Sequence, residues 1–269
     1  MVLTLKQFNL VNLVSIGLSS YNCKQQVPSD VQTNNIYIPP DNIQTQKNLD
    51  KICDWTNEKK MLINTNKTKY MIMNFTKNSQ FSTRLSIDGT LIQQITQTRL
   101  LGLVLEDNLS WQANTNHIVK QAYKRMSILQ NLYSFSIPLQ DLIEIYVLYI
   151  RSVIENSAVV WHSALTQGQA LEIERVQKVA LKIILKSDYI DYKNALSVTR
   201  LPTLRERRIQ LCKTFAVKCT KNPKLCDMFP LANKTYNTRK PEKYLVTQAN
   251  TNRLAKSAIP SMQRILNSQ

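Results

Sequence analysis

The residue types that carry most enzymatic chemistry are sparse in this chain and poorly grouped. Metal-assisted phosphoryl or nucleotidyl transfer needs aspartates clustered around two divalent ions about 4 Å apart. No Asp-Asp pair occurs anywhere in the 269 residues. Asp30 is a lone acid beside Pro28, and Asp41 follows Pro39-Pro40, where Asp41 or Asn42 can cap a helix. His117 and His162 have no spacing that suggests a metal site or a triad, and His162, next to Trp161 near a helix end, reads as structural. Ser152 lacks a nucleophile-elbow context, and no glycine-rich phosphate loop is present. The five cysteines, Cys23, Cys53, Cys212, Cys219 and Cys226, show no CxxC spacing. They read as buried, inert thiols in a reducing, intracellular compartment. The sequence therefore points to no catalytic residue and no metal ligand.

The basic residues are better placed. Lys120, Lys124 and Arg125 fall on one face of a helix-patterned segment. Arg205, Arg207 and Arg208 open a later helix, with Lys213 further along it. Such side chains can hold phosphates without reading base sequence. Arg207 or Arg208 could instead pair with Glu206 or with a buried acid. The overall charge favours the first use. Lys and Arg number 35 against 18 Asp and Glu, for a net +17. Residues 1–110 hold 11 basic and 8 acidic groups, a net +3; residues 111–269 hold 24 and 10, a net +14. Residues 200–269 alone carry 15 basic and 3 acidic groups. That asymmetry implies a polyanionic partner, with nucleic acid foremost, against the alternative of a solvated basic tail.

Elements that could position these groups follow from the periodicity. Residues 1–40 have no clear period and read as an irregular entry segment; their first 18 residues lean apolar, but Lys6, Gln7, Asn9 and Asn12 interrupt a signal-peptide core. No run approaches the roughly 18–20 apolar residues of a membrane span. Residues 41–110 form an α+β lobe. Leu49, Ile52, Cys53 and Thr56 repeat at helical spacing. Tyr70–Phe75 reads as a strand, and Asp88-Gly89 suits a type I′ turn between Leu85-Ser86-Ile87 and Thr90-Leu91-Ile92. A last strand covers Arg99 to Leu105. From Trp111 the period changes from two to 3.6. Helices are predicted over 112–134, from Pro138 with Leu142, Ile143, Tyr146, Tyr149, Ile150 and Val153 inward, and over 168–186. The last buries Ile173, Val176, Ala180, Ile183 and Ile184, with Glu174 and Lys178 paired on its wet side. A short element near Tyr192–Val198 precedes a helix over 203–221 that buries Leu204, Leu211, Cys212, Phe215 and Cys219. Residues 111–222 should pack as a small helical bundle. Residues 223–269 read as an irregular basic tail, with a short helix near Pro260–Leu266.

The order of motifs over residues 45–267 resembles reverse transcriptases of non-LTR (jockey- or LINE-like) retrotransposons, from the back half of the palm through the thumb. The carrying residues are Trp55, Asn64-Thr65-Asn66-Lys67-Thr68, Leu100-Leu101-Gly102 with Asp107, Leu109 and Trp111 after it, Tyr149–Glu155, Val160-Trp161, Leu171-Glu172, Val176-Gln177 and Ala180. Leu201–Arg208 and Arg253–Pro260 complete the series. Each piece is weak alone; the shared order over more than 200 residues carries the likeness.

The resemblance implies an α+β fold: a partial palm, then an all-α thumb-like bundle. It places Lys67 near an incoming nucleotide's phosphates, where it could neutralise or protonate a leaving pyrophosphate. A solvent-facing lysine in a polar loop is the plainer reading. It makes Leu101, Gly102 and Leu103 a primer-grip-like element, where close backbone approach favours glycine; a packing glycine is the alternative. It implies RNA, DNA or RNA–DNA hybrid backbone as partner. The complete family enzyme is an RNA-directed DNA polymerase using Mg²⁺, but the aspartates that hold Mg²⁺ there have no counterpart here, so the chain itself should bind no metal cofactor and should not polymerise DNA. A fragment of an active polymerase gene, and a self-associating helical remnant with an open sheet edge, are the other readings.

Overall fold

The structure is a computed structural model that describes residues 42–73, 75, 84–232 and 243–268. The expectations for residues 1–40, for Asp30 and Cys23, and for Asp41 as a cap lie outside the described residues. The chain divides into two compact units, the first holding residues up to Arg99 with Leu105–Leu109, the second Leu100–Val104 with Ser110 onward. The fold is mixed α+β and rich in helix, with few and short strands.

In the first unit, α1 (Asn42–Glu58) places Leu49 and Cys53 one turn apart on a buried face. They join Tyr70, Leu85, Ile87 and Ile92 in one apolar core, with Ile63 and Ile72 against it. Gln46 ties the helix to the sheet: its amide both donates to and accepts from the backbone of Ser86, at 2.9 and 3.1 Å. Strand β1 (Lys69–Tyr70) pairs in parallel with β4 (Gln93–Gln94). The expected strand over Tyr70–Phe75 thus stops at Tyr70. Past Tyr70, whose carbonyl still accepts from Ile95 N–H at 2.9 Å, Met71–Met73 lie outside any strand.

Strands β2 (Ser86–Ile87) and β3 (Thr90–Leu91) form an antiparallel hairpin. Its turn, Asp88-Gly89, has φ of 48° and 75°, the double positive value a type I′ turn requires. A second turn of this kind breaks the single strand expected over Arg99–Leu105. Leu101 and Gly102 have φ of 50° and 87°, and they separate β5 (Gln97–Leu100) from β6 (Leu103–Glu106). Leucine in a left-handed position costs about 1 kcal/mol or more. Gly102 relieves the second position, and a methyl group there would come within 2.9 Å of Asn156 Nδ2.

The second unit is helical. Long α2 (Gln112–Tyr133) packs along α6 (Gln167–Leu185). Ile118, Ala122, Met126 and Leu129 face Ile173, Val176, Ala180 and Ile184 as fully or nearly buried rows. Between them run α3 (Leu139–Ile145), a π-helical turn over Tyr146–Arg151, α4 (Ser152–Glu155) and α5 (Ala158–Trp161). The π turn shifts the inward face. Tyr149, expected inside, is 41% exposed and Val153 is half-buried, while Ile150 and Ile154 are fully buried. A π turn holds about one residue more than an α turn, so the apolar row advances from Tyr146 to Ile150 to Ile154.

Helices α7 (Tyr192–Thr199) and α8 (Leu204–Thr220) follow. Helix α8 buries Leu204, Arg208, Cys212, Ala216 and Cys219, a row at four- and three-residue spacing. Leu211 and Phe215, expected in this row, are half-buried. The terminal segment is less irregular than its sequence suggested. After α9 (Asn252–Ala255), α10 (Ala258–Asn267) packs on α8 through Ile259, Met262 and Leu266. Gln263, 1% exposed, accepts from Thr247 N and donates to the Met228 carbonyl, and Asn267 clamps both backbone groups of Tyr244. Among the described residues no helix is long and apolar enough to cross a membrane.

Candidate nucleic-acid interface

Lys67 ends a short 3₁₀ turn (Thr65–Lys67) whose first residue is capped by Asn64, with Lys67 N–H donating to Asn64 Oδ1 at 3.1 Å. Its side chain is exposed. The Asn-x-x-Lys-Thr stretch is thus self-supporting: Thr68 Oγ1 also donates back to the Asn64 carbonyl at 2.8 Å. Of the primer-grip-like residues, Leu101 is exposed at its turn, Gly102 occupies the left-handed position, and Leu103 is fully buried. Leu103 packs in the interior; only the tip of the turn meets solvent.

Lys120 and Lys124 lie one turn apart on α2, and both are exposed. Arg125 has another task. Its Nη1 donates to the Tyr149 carbonyl at 2.6 Å, and its guanidinium sits 4.4 Å from the Tyr149 ring centroid. Tyr149 lies inside the π turn, and its carbonyl also accepts from the Ser152 hydroxyl at 3.3 Å.

The basic start of α8 splits three ways. Thr203 and Glu206 form a reciprocal capping box, so the helix begins where the pattern Leu-Pro-Thr-Leu-Arg-Glu predicts. Arg205 is exposed. Arg207 is committed to Glu155, with Nε 3.1 Å from Oε1, and Arg151 reaches the same oxygen at 3.0 Å. Arg208 is fully buried, and its Nε donates to His162 Nδ1 at 3.2 Å. A phosphate-contacting role for Arg208 does not fit this placement: it fills a core position between Leu204 and Cys212 on the helix. Lys213 is half-buried on α8. Of the basic residues singled out in the sequence, Lys67, Lys120, Lys124 and Arg205 therefore have exposed side chains.

Sequence reasoning missed a second basic row. Arg175, Lys178 and Lys182 stand at i, i+3 and i+7 on α6, and Arg175 and Lys182 are exposed. Lys178 lies 5.0 Å from the Tyr192 ring and Lys182 5.4 Å from the Tyr189 ring. The signal was the spacing itself, which the inward apolar row of the same helix obscured. Lys178 was expected to pair with Glu174 on the wet side. Instead Glu174 is half-buried and accepts from the Tyr192 hydroxyl, from Leu204 N–H at 3.0 Å and from Arg205 N–H at 3.2 Å. A carboxylate at the first free N–H groups of α8 completes that helix end and meets its positive pole.

This network reaches inward. Gln177, fully buried, accepts from the Tyr146 hydroxyl at 2.7 Å and donates to the Tyr192 hydroxyl and the Pro202 carbonyl at 3.1 and 2.9 Å. Burial raises the pKa of both phenols, and the bond to Glu174 raises that of Tyr192 further. Both stay protonated donors, which suits a positioning role and no acid–base chemistry. Burial also lifts the Cys212 thiol to about 11, making it inert. His162 is pushed down to about 4, first by burial and then by the charges of Arg208 and Arg205. Among the described residues no group of three His, Cys, Asp or Glu side chains is placed to hold a metal ion. The second unit is thus a helical scaffold with a polar network around Gln177 and Glu174 inside it and exposed cations on α2, α6 and α8.

No protein-family model, no curated protein and no solved structure matches the chain.

Proposed function

We propose that this chain is a palm-and-thumb segment related to the reverse transcriptases of non-LTR retrotransposons, and that it holds RNA, DNA or an RNA–DNA hybrid by the phosphate backbone without polymerising. The observation that carries the binding is the charge distribution: a net +14 beyond residue 110 against +3 before it. Exposed Lys120, Lys124, Arg175, Lys182 and Arg205 give that charge a rigid helical support. The relation to reverse transcriptases rests on the ordered motifs from Trp55 to Pro260. The absence of any Asp-Asp pair in the chain supports binding without nucleotidyl transfer.

Charge reversal of Lys120 and Lys124 together tests the site. Each lost phosphate contact should lower the slope of log affinity against log salt by about one. The comparison variant reverses Lys51 and Lys59, exposed residues of the first unit, and changes net charge equally. A weaker, less salt-dependent complex for the α2 variant alone supports the assignment. Equal losses in both variants would reduce the interaction to diffuse charge and overturn it.

A further inference from the structure

Arg208 is the largest charged side chain in the interior, at 0% exposure. A guanidinium is always protonated and offers five N–H donors, so burial without compensation is costly. One donor is accounted for: Nε meets His162 Nδ1 at 3.2 Å. An imidazole nitrogen that accepts this bond is neutral and brings no counter-charge. Both terminal nitrogens, Nη1 and Nη2, are buried and find no acceptor among the described residues. Ser163, one residue on from His162, has a buried hydroxyl in the same condition.

The acids around this point are already engaged. Glu155 faces two arginines, Arg151 and Arg207. Glu174 caps α8 and accepts from Tyr192. Among the described residues, the three guanidiniums of Arg151, Arg207 and Arg208 thus face two carboxylates, and neither carboxylate accepts a hydrogen bond from Arg208. Glu206, exposed at the start of α8, accepts from the Thr203 N–H in the capping box.

We propose that Arg208 Nη1 and Nη2 bind one halide-sized monovalent anion inside the helical unit, between α8 and the 3₁₀ turn His162–Ala164. The anion supplies the missing charge and the acceptor that the protein does not. This site is independent of nucleic-acid binding, because a fully buried guanidinium cannot meet a phosphate at the surface.

Thermal unfolding of the purified chain in sodium chloride, sodium bromide and sodium gluconate at equal ionic strength tests the proposal. Gluconate is too large to enter. Chloride and bromide should raise Tm by several degrees over gluconate, growing with concentration as mass action demands. Arg208→Met should abolish the difference, whereas Lys218→Ala, which removes an exposed charge from the same helix, should keep it. Chloride-35 relaxation on the wild-type chain gives a second readout that does not depend on the variant folding. Broadening that saturates and is displaced by bromide supports the site. Equal Tm in all three salts, or broadening that never saturates, overturns it and leaves internal water and the nearby carboxylates as the compensation.

Discussion

Arg125 stacks on the ring of Tyr149 and at the same time donates to that residue's own carbonyl, at 4.4 and 2.6 Å. Two contacts from one side chain on α2 thus fasten the π turn of the neighbouring segment. The cation–π contact and the charged hydrogen bond together are worth about 1–3 kcal/mol at a half-buried site. Arg125→Ala should destabilise the chain by that amount in urea unfolding, and Arg125→Lys should recover part of it. Nucleic-acid affinity, corrected for folded fraction, should change less than in the Lys120/Lys124 reversal. A large affinity loss with unchanged stability would return Arg125 to the binding surface.

The two type I′ turns differ in what surrounds their glycines. At Gly89 (φ +75°) a Cβ meets nothing within 4 Å, whereas at Gly102 (φ +87°) it lies 2.9 Å from the Asn156 amide. Gly89→Ala should cost about 1 kcal/mol from backbone strain alone. Gly102→Ala should cost more, about 2–3 kcal/mol, and Asn156→Ala should relieve the excess in the double variant. Additive effects in that cycle would contradict the steric account.

Acid should weaken the fold through His162. Its folded pKa, about 4, lies below the ordinary 6.5. Unfolded chains therefore bind a proton that folded chains refuse, and stability falls as pH drops from 6.5 through 4. Above 6.5 the residue contributes no pH dependence. His162→Gln, which keeps an acceptor for Arg208, should flatten the stability profile in this window. The wild-type slope persisting in that variant would assign the effect to carboxylates.

Much of the scaffold was legible in the sequence. Helices over 112–134, 168–186 and 203–221 form as Gln112–Tyr133, Gln167–Leu185 and Leu204–Thr220. Their main signal is local, the apolar period, with Pro202 marking the break before the last of them. The Asp88-Gly89 turn was equally local. Features set by tertiary context were not legible. The Leu101-Gly102 turn lacks Asn or Asp at its first position, so it read as continuous strand. The π turn leaves no compositional mark and moved Tyr149 outward. At the candidate site, Lys67, Lys120, Lys124 and Arg205 are as exposed as their types suggest, but Arg208 occupies an apolar row in which its charge gave no warning. Glu174 looked like a surface partner for Lys178 because its real acceptor role depends on the N-terminus of a helix 30 residues away.

The most direct test of the account is equilibrium binding of the purified, folded chain to a labelled RNA–DNA hybrid across a salt series, with Mg²⁺-dependent primer extension run on the same preparation. Tight binding at about 50 mM salt is expected, with log affinity falling linearly with log salt by several units of slope, and no extension. A folded chain that fails to bind at low salt would contradict the nucleic-acid role, and extension of the primer would contradict the assignment of a binding segment without catalytic aspartates.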